Sequence, residues 1–533
     1  MLSFKKPQFW ILLCVVLFLV IFVGKSLTFM VEIPFHDFDE AHRAENAKRM
    51  KEYGSWLVPL SGSQFDRVVK FSIPVSENSD LRLYYHIERP FLVYLLMTLS
   101  TTVFGAFEWA YRLPSFILGL STFLIYLIFS QRYAPNVNFY ALFLGLLAIL
   151  TSADLWLSSQ YAQLDTGLSL FLFSSLLFLI FYVQRKKDLL LVCSGLTFGL
   201  SVLSKGQPAV IFVLPLVALL LMRKIGCKDL LKFLASASVL LVPWILYLGF
   251  KFGFLEVIKI FVGFGFSSTV RYIHHDAPFF WYARWWWDSL RPGWTIFLAL
   301  LLWDLVHHQL SWPKKVLLSY ILGGLVIFSL PHNKIWWYIL PLAPALAFYI
   351  FLSAADYLKR SSNRLINLSL VVILAAMPIF MGSTNRMVML YGIVVTTLSL
   401  IILNSKVITR LAVLLKFKGI LFLTSVIFTF VVFNLNFPRI IPYYFETKEV
   451  AQYFGTISDK KCLWMLDMPA EAALFYSNAG EILPFNIVGG KLQPDLACNN
   501  YIITLLGLDD KDLIYFPDKK IIFQQGDIKL IKL

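Results

Sequence analysis

DTGLSLFLFSSLLFLIFYVQRKK, residues 165–187, places an uninterrupted apolar run between one carboxylate and three cations. As a helix rising about 1.5 Å per residue it crosses a hydrocarbon core of about 30 Å. Loops rich in Lys and Arg stay in the cytoplasm, so Arg185, Lys186 and Lys187 mark the inside and Asp165 the outside. Runs of the same kind recur from Leu12 to Leu435. The whole chain follows that pattern: of 533 residues 58% are apolar and 15% charged, with mean hydropathy +0.71. A soluble domain carries about a quarter charged residues, which excludes an ordinary cytosolic enzyme, a disordered chain and a disulfide scaffold. The net charge of +15 sits mostly in short loops, with no basic stripe interleaved with aromatics, so nucleic acid is not an expected partner. The five cysteines show no metal-type CxxC spacing.

Lys5 and Lys6 precede an apolar run at 9–23, read as a signal anchor with the N-terminus inside. Further basic clusters at 223–228, 314–315, 359–364 and 406–418 should also face the cytoplasm. The intervals hold span pairs at 189–204 with 208–222, 230–249 with 293–308, 316–331 with 336–355 and 365–381 with 387–403, and a last span at 419–436. Five apolar segments precede Arg185, an odd number that would put it outside. FLVYLLMTLSTTVFGAF, residues 91–107, is the most interrupted of them by polar residues and is read as a helix lying at the outer interface. The fold class is thus a mainly α polytopic membrane protein with about 13 transmembrane helices, residues 1–437, with exterior loops at 29–112 and 250–292 and exterior turns that include 154–165. Residues 438–533 read as a small exterior α/β domain, with strands at 462–466, 501–505, 513–516 and 520–523 and a helix at 469–477. There Cys462 and Cys498 are either a disulfide or two separate thiols.

Ionisable residues at exterior span ends are costly to bury and mark function. HDFDEAHRAENAKRMKEYGSW, residues 36–56, brings Asp39 and Glu40 before a helical stretch, where they are either reactive carboxylates or helix caps. In YYHIERPFLVYLL, residues 84–96, Pro90 forces Arg89 toward extended backbone, so Glu88 and Arg89 project from a linker or anchor the interface. Asp165 has no local basic partner. Lys205 lies at the Gly-Pro break of LSKGQP, Lys334 precedes WWYILPLAP, and Arg271 lies just before HHDAPFFWYARWWWDSL, whose Trp and Tyr residues fit an interfacial belt.

The ordered series DEAHR at 39–43, ERPFLVY at 88–94, WAYRLPS at 109–115, Asp165, SKGQP at 204–208, HHDAPFFWY at 274–282 and K-x-x-x-Y-x-L-P-L-x-P at 334–344 resembles bacterial GT-C glycosyltransferases. The nearest type is the lipid A aminoarabinose transferase and protein O-mannosyltransferase group. The resemblance covers residues 9–355 and implies a GT-C-like fold and transfer of a sugar from a polyprenyl phosphate donor. The acceptor would be lipid A, another glycan, a lipid or a protein, met at the outer face of a bacterial plasma membrane. Asp39, Glu40 and Asp165 take the positions of the group's carboxylates. Arg89 stands for its usual lysine, and His42 replaces an arginine that follows here as Arg43. On that reading Asp39 deprotonates or orients the acceptor with Asp165 beside it, and the anomeric centre is inverted. Arg89, Lys205, Lys334, Arg43 and Arg271, with Tyr338, would hold the carrier phosphate. Glu88 and His275 match positions suited to a divalent cation, zinc or magnesium. A lipid-linked-sugar flippase needs many of the same groups but also repeats and broken midplane helices, which the sequence does not display. A purely structural membrane subunit leaves Asp39 and Asp165 unexplained.

Overall fold

The computed structural model describes residues 20, 23–24 and 26–360, with interruptions in the last range at 36–37, 62–72, 75–83, 135–138, 151, 271–276, 290 and 332–333. Within 447–532 it describes one helix, seven short strands and Tyr476. The apolar run at 9–23 apart from Val20 and Val23, the spans expected at 365–381, 387–403 and 419–436, and the boundary at 437 lie outside these residues.

The apolar runs fold as helices where their hydropathy places them. They are α1 (Phe38–Glu52), α2 (Leu92–Phe104), α3 (Glu108–Tyr133), α4 (Phe139–Leu150), α5 (Ala153–Gln160), α6 (Asp165–Arg185) and α7 (Asp188–Lys205). After the 3-10 turn Gln207–Phe212 come α8 (Val213–Leu221), α9 (Cys227–Phe252), α10 (Phe254–Val270), α11 (Trp281–Ser289), α12 (Arg291–Val306) and α13 (Trp312–Ser329). The 3-10 segment Trp336–Leu342 leads into α14 (Ala343–Arg360). Among the described residues five helices are long and apolar enough to cross a membrane: α3, α6, α7, α9 and the continuous Trp336–Lys359. The protein is a multi-pass membrane protein.

Inside a bilayer helices associate through close packing and polar contacts rather than the hydrophobic effect. Gly195 and Gly199 put small residues one turn apart on α7, and a Cβ at Gly195 would fall 2.4 Å from the Phe233 carbonyl of α9. Between α6 and α7, Ser175 Oγ donates to the Ser194 carbonyl at 2.8 Å and Ser194 Oγ to that of Ser175 at 2.9 Å. Helix α6 is buried almost throughout. Its 21 residues put Asp165 about 30 Å from Arg185. Lys186 Nζ donates to the Lys224 carbonyl, so two basic clusters share the Arg185 end.

Two regions expected to be exterior connections carry helices. The stretch 250–292, read as a loop, carries α10 and α11. Helix α10 begins after Gly253, at φ +88°, and buries Val257 and Ile260 against Trp244 and Leu248 of α9. Glu256 and Lys259 break the apolar pattern there, yet one turn apart they form their own exposed pair at 3.5 Å. The turn expected at 154–165 contains α5, capped by Ser152 Oγ, which accepts from Leu155 N. Helix α2, within the segment read as interfacial, has 13 residues, too few to span. It buries Val93, Tyr94 and Met97 against α1.

In the C-terminal stretch β1 (Cys462–Leu466) pairs in parallel with β2 (Glu481–Pro484) and β3 (Tyr501–Leu505), while β5 (Ile528–Lys532) pairs antiparallel with β3 and β4 (Lys520–Gln525). Helix α15 (Thr447–Ile457) packs on this sheet, stacking Tyr453 on Phe523. The helix expected at 469–477, apart from Tyr476, the strand at 513–516 and Cys498 lie outside the described residues.

Candidate active site

Helix α1 is short, acidic at its start and lined by Ala41, Ala44 and Ala47, all with no exposed surface. Small residues let it lie flat on α2, where Thr98 Oγ1 donates to the Ala47 carbonyl at 3.0 Å. Its first turn is set from 72 positions away. Arg112 of α3 donates Nε to Glu40 Oε1 at 2.7 Å and Nη2 to Oε2 at 3.0 Å. The same guanidinium takes the carbonyls of Met30, Ile33 and Pro34. Glu40 Oε1 also accepts from Ala162 N at 3.0 Å. Expected as a reactive carboxylate, Glu40 is instead fully buried and spent on fixing α1 to α3 and to the turn before α6. Arg112 was not singled out in the sequence, although a cation several residues inside an apolar span is itself a signal.

That turn carries the next groups. Arg43, one helical turn after Asp39, donates Nη2 to Asp39 Oδ2 at 2.7 Å and Nη1 to the Ala162 carbonyl at 3.3 Å, and its guanidinium lies 5.7 Å from the Trp337 ring centroid. Asp165 opens α6 and Lys205 closes α7. Lys205 Nζ donates to Asp165 Oδ1 at 2.5 Å and stands 4.4 Å from the Tyr338 ring centroid. The two carboxylate–cation pairs thus meet the neighbouring rings of one 3-10 segment. Gly206, at φ +80°, supplies the left-handed turn that glycine tolerates and lies against Pro90, bringing the Arg89 linker to the site.

Asp39 keeps 23% of its side-chain surface exposed. Burial raises its carboxyl, but the fields of Arg43, Arg89, His42 and Lys205 outweigh this and hold it below the usual carboxylate range. Arg89 therefore acts on Asp39 through space, with its own side chain a quarter exposed and its Nε 3.8 Å from Glu88 Oε1.

Lys334 is tied to backbone. It is 3% exposed, and its ammonium donates to the carbonyls of Ala277 and Pro331, both at 2.8 Å. Arg271 and His275 lie outside the described residues. Glu88 Oε1 is bonded to His86 Nδ1 at 2.8 Å. Among the described residues no three His, Cys, Asp or Glu side chains converge as metal ligands, and of the pair expected to hold a cation only Glu88 is among them.

The profile of the family described as dolichyl-phosphate-mannose-protein mannosyltransferase matches residues 88–248. In three dimensions the chain superposes on ArnT from Cupriavidus metallidurans, solved bound to undecaprenyl phosphate, with TM-score 0.69, 16% identity and 97% of each chain covered. The chain has the ArnT fold. An undecaprenyl phosphate-alpha-4-amino-4-deoxy-L-arabinose arabinosyl transferase of Aeromonas hydrophila is 24% identical over 62% of this chain and 58% of its own length. An uncharacterized protein of Aquifex aeolicus is 28% identical over 62% of each chain. The matched region therefore spans about three fifths of these relatives. Together these findings show the resemblance to the GT-C aminoarabinose transferase and mannosyltransferase group that the ordered motifs carry.

Proposed function

We propose that the protein is a membrane glycosyltransferase that moves a sugar from a polyprenyl phosphate carrier, undecaprenyl phosphate in the relatives' names, to an acceptor hydroxyl. The observation that supports this most directly is the pairing of two carboxylates with two cations, Asp39 with Arg43 and Asp165 with Lys205, against Trp337 and Tyr338. The acceptor is lipid A, another glycan, a lipid or a protein. The cell address is the bacterial inner membrane, N-terminus inside, with the site and the C-terminal domain on the periplasmic side, because Asp165 lies at the end of α6 opposite the basic cluster.

A phosphate bound to the anomeric carbon is already a good leaving group, so the protein must hold it and prepare the nucleophile. Arg43, Arg89 and Lys205 take the phosphate oxygens, Arg through paired donors and Lys as a point charge. The acceptor oxygen attacks the anomeric carbon from the face opposite the phosphate, and the carbon–oxygen bond to phosphate breaks with its electrons on the carrier. The hydroxyl proton passes to Asp39 or Asp165. In the free site the cations make Asp39 a weak base. A phosphate that occupies those cations removes that field and raises the basicity of Asp39 as the donor binds. Glu40 keeps its place as the group that positions the first turn of α1.

The test is to incubate purified protein in proteoliposomes with undecaprenyl phosphate carrying a radiolabelled sugar, with acceptor membranes present. Label that leaves the carrier and enters an acceptor supports transfer. Label that only changes leaflet, still on its carrier, overturns it in favour of a flippase.

A further inference from the structure

The turn between α5 and α6 is tied down by its backbone. Gln163 N donates to Ser115 Oγ at 2.9 Å, Ser115 Oγ donates back to the Gln163 carbonyl at 3.0 Å, and Ala162 N is held by Glu40. The side-chain amide of Gln163 and one carboxylate oxygen of Asp165 are not bonded. Gln163 has no exposed surface, and neither its amide oxygen nor its amide nitrogen has a hydrogen bond. Asp165 Oδ2 is equally buried and unbonded while Oδ1 takes Lys205. Arg43 joins this turn, through the Ala162 carbonyl, to Trp337, which is 7% exposed and whose indole N–H is also unbonded. Ser169 Oγ to the Leu340 carbonyl, 3.4 Å, joins the two elements farther along.

Buried polar groups almost always find a partner, and leaving several unpaired on two facing elements is costly. The unpaired atoms comprise two acceptors and two donors, counting the amide nitrogen once, beside indole and phenol rings. That set suits a ligand which both gives and accepts hydrogen bonds at several points and offers C–H faces to aromatic rings. A phosphate ester offers acceptors only. A lipid chain offers neither.

We propose that Gln163, Asp165 Oδ2 and Trp337 form the subsite for the transferred sugar ring, with Gln163 as a determinant of which sugar is accepted. This rests on the glycosyl-transfer reading and adds to it a division of labour. Arg43, Arg89 and Lys205 hold the carrier's phosphate, which every loaded carrier shares. Gln163 and Trp337 read the hydroxyl or amino substituents that distinguish one sugar from another.

The experiment compares binding of bare undecaprenyl phosphate with binding of the same carrier loaded with 4-amino-4-deoxy-L-arabinose or with mannose. It uses the full-length wild type, Gln163→Met and Trp337→Phe, and records each variant's thermal midpoint. The expected result is a wild type that prefers one loaded carrier and a Gln163→Met that loses about tenfold or more of that preference. Gln163→Met should keep affinity for the bare carrier and match or exceed the wild-type Tm, because an unpaired amide has been removed. Trp337→Phe keeps an aromatic face under Arg43 and should behave likewise. Gln163→Met with lowered Tm and unchanged sugar preference overturns the subsite, since the amide then serves the fold. A wild type that binds the bare carrier but gains nothing from either sugar also overturns it while leaving the phosphate reading in place. Failure to bind even the bare carrier overturns the transfer reading itself, and the subsite with it.

Discussion

Arg112 and Glu40, 72 residues apart and both without exposed surface, form a two-point charge pair whose Nε–Oε1 distance is 2.7 Å and whose Nη2–Oε2 distance is 3.0 Å. With the carbonyls of residues 30, 33 and 34 on the same guanidinium, the pair sets where α1 starts and so where Asp39 stands. Breaking one side strands a buried charge, at a cost of about 3–5 kcal/mol. Glu40→Leu alone should therefore lower Tm markedly, and Glu40→Leu with Arg112→Met should recover part of the loss. Thermal unfolding in detergent compares the two, and a double variant no better than the single removes the pair's role.

Asp39→Asn and Asp165→Asn should each lower transfer by about a hundredfold or more with the fold retained, since an amide keeps the size but takes no proton. Steady-state kinetics with a circular-dichroism control measures this. Near-normal turnover in both variants would remove the mechanism.

Arg89 acts on Asp39 through its charge and is only partly buried. Arg89→Lys should keep most of the affinity for undecaprenyl phosphate, and Arg89→Ala should lose about 2 kcal/mol, the lower end for one partner of a desolvated charge contact. Equal affinity for wild type and Arg89→Ala, by titration calorimetry, makes Arg89 an interfacial anchor only.

The depressed Asp39 carboxyl has a pH consequence with a definite sign. Its folded value lies below its unfolded one, so its stabilisation is present above the unfolded value of about 3.9 and is lost as pH falls through the folded value. The acid limb of kcat/KM due to Asp39 should then lie below the ordinary carboxylate range, leaving pH 5–8 flat in this group. Arg43→Gln removes the nearest cation and should move that limb to higher pH. An acid limb that stays put in Arg43→Gln separates it from Asp39.

The C-terminal stretch touches the same platform. Lys448 Nζ donates to Glu108 Oε1 at 2.5 Å, and Tyr476 Oη donates to that oxygen at 3.2 Å while accepting from Phe35 N at 3.1 Å. Burial raises the Tyr476 phenol, which stays neutral and able to donate. Tyr476→Phe should cost about 1 kcal/mol, the net worth of such bonds, and raise amide exchange near residue 35. Exchange unchanged there would show the tail to be docked independently of the first loop.

Much of the helical framework was legible because membrane helices obey a local rule. The apolar runs read within 165–187 and at 189–204 became α6, Asp165–Arg185, and α7, Asp188–Lys205, since hydropathy and the flanking charges need no partner to be read. Asp39 and Asp165 were legible for the same reason: a carboxylate at the end of such a run is costly wherever the chain goes next. What those carboxylates face was decided only by packing. No local pattern pairs Glu40 with Arg112, turns Lys334 toward backbone carbonyls, or leaves Gln163 and Trp337 buried with unbonded polar atoms, because each depends on chain segments brought together from far apart. Helix α10 was missed because Glu256 and Lys259 interrupt its hydropathy, and its stability comes from Val257 and Ile260 meeting α9. Hydropathy is a property of single residues and survives in sequence order; pairing is a property of two surfaces and exists only once the chain has folded.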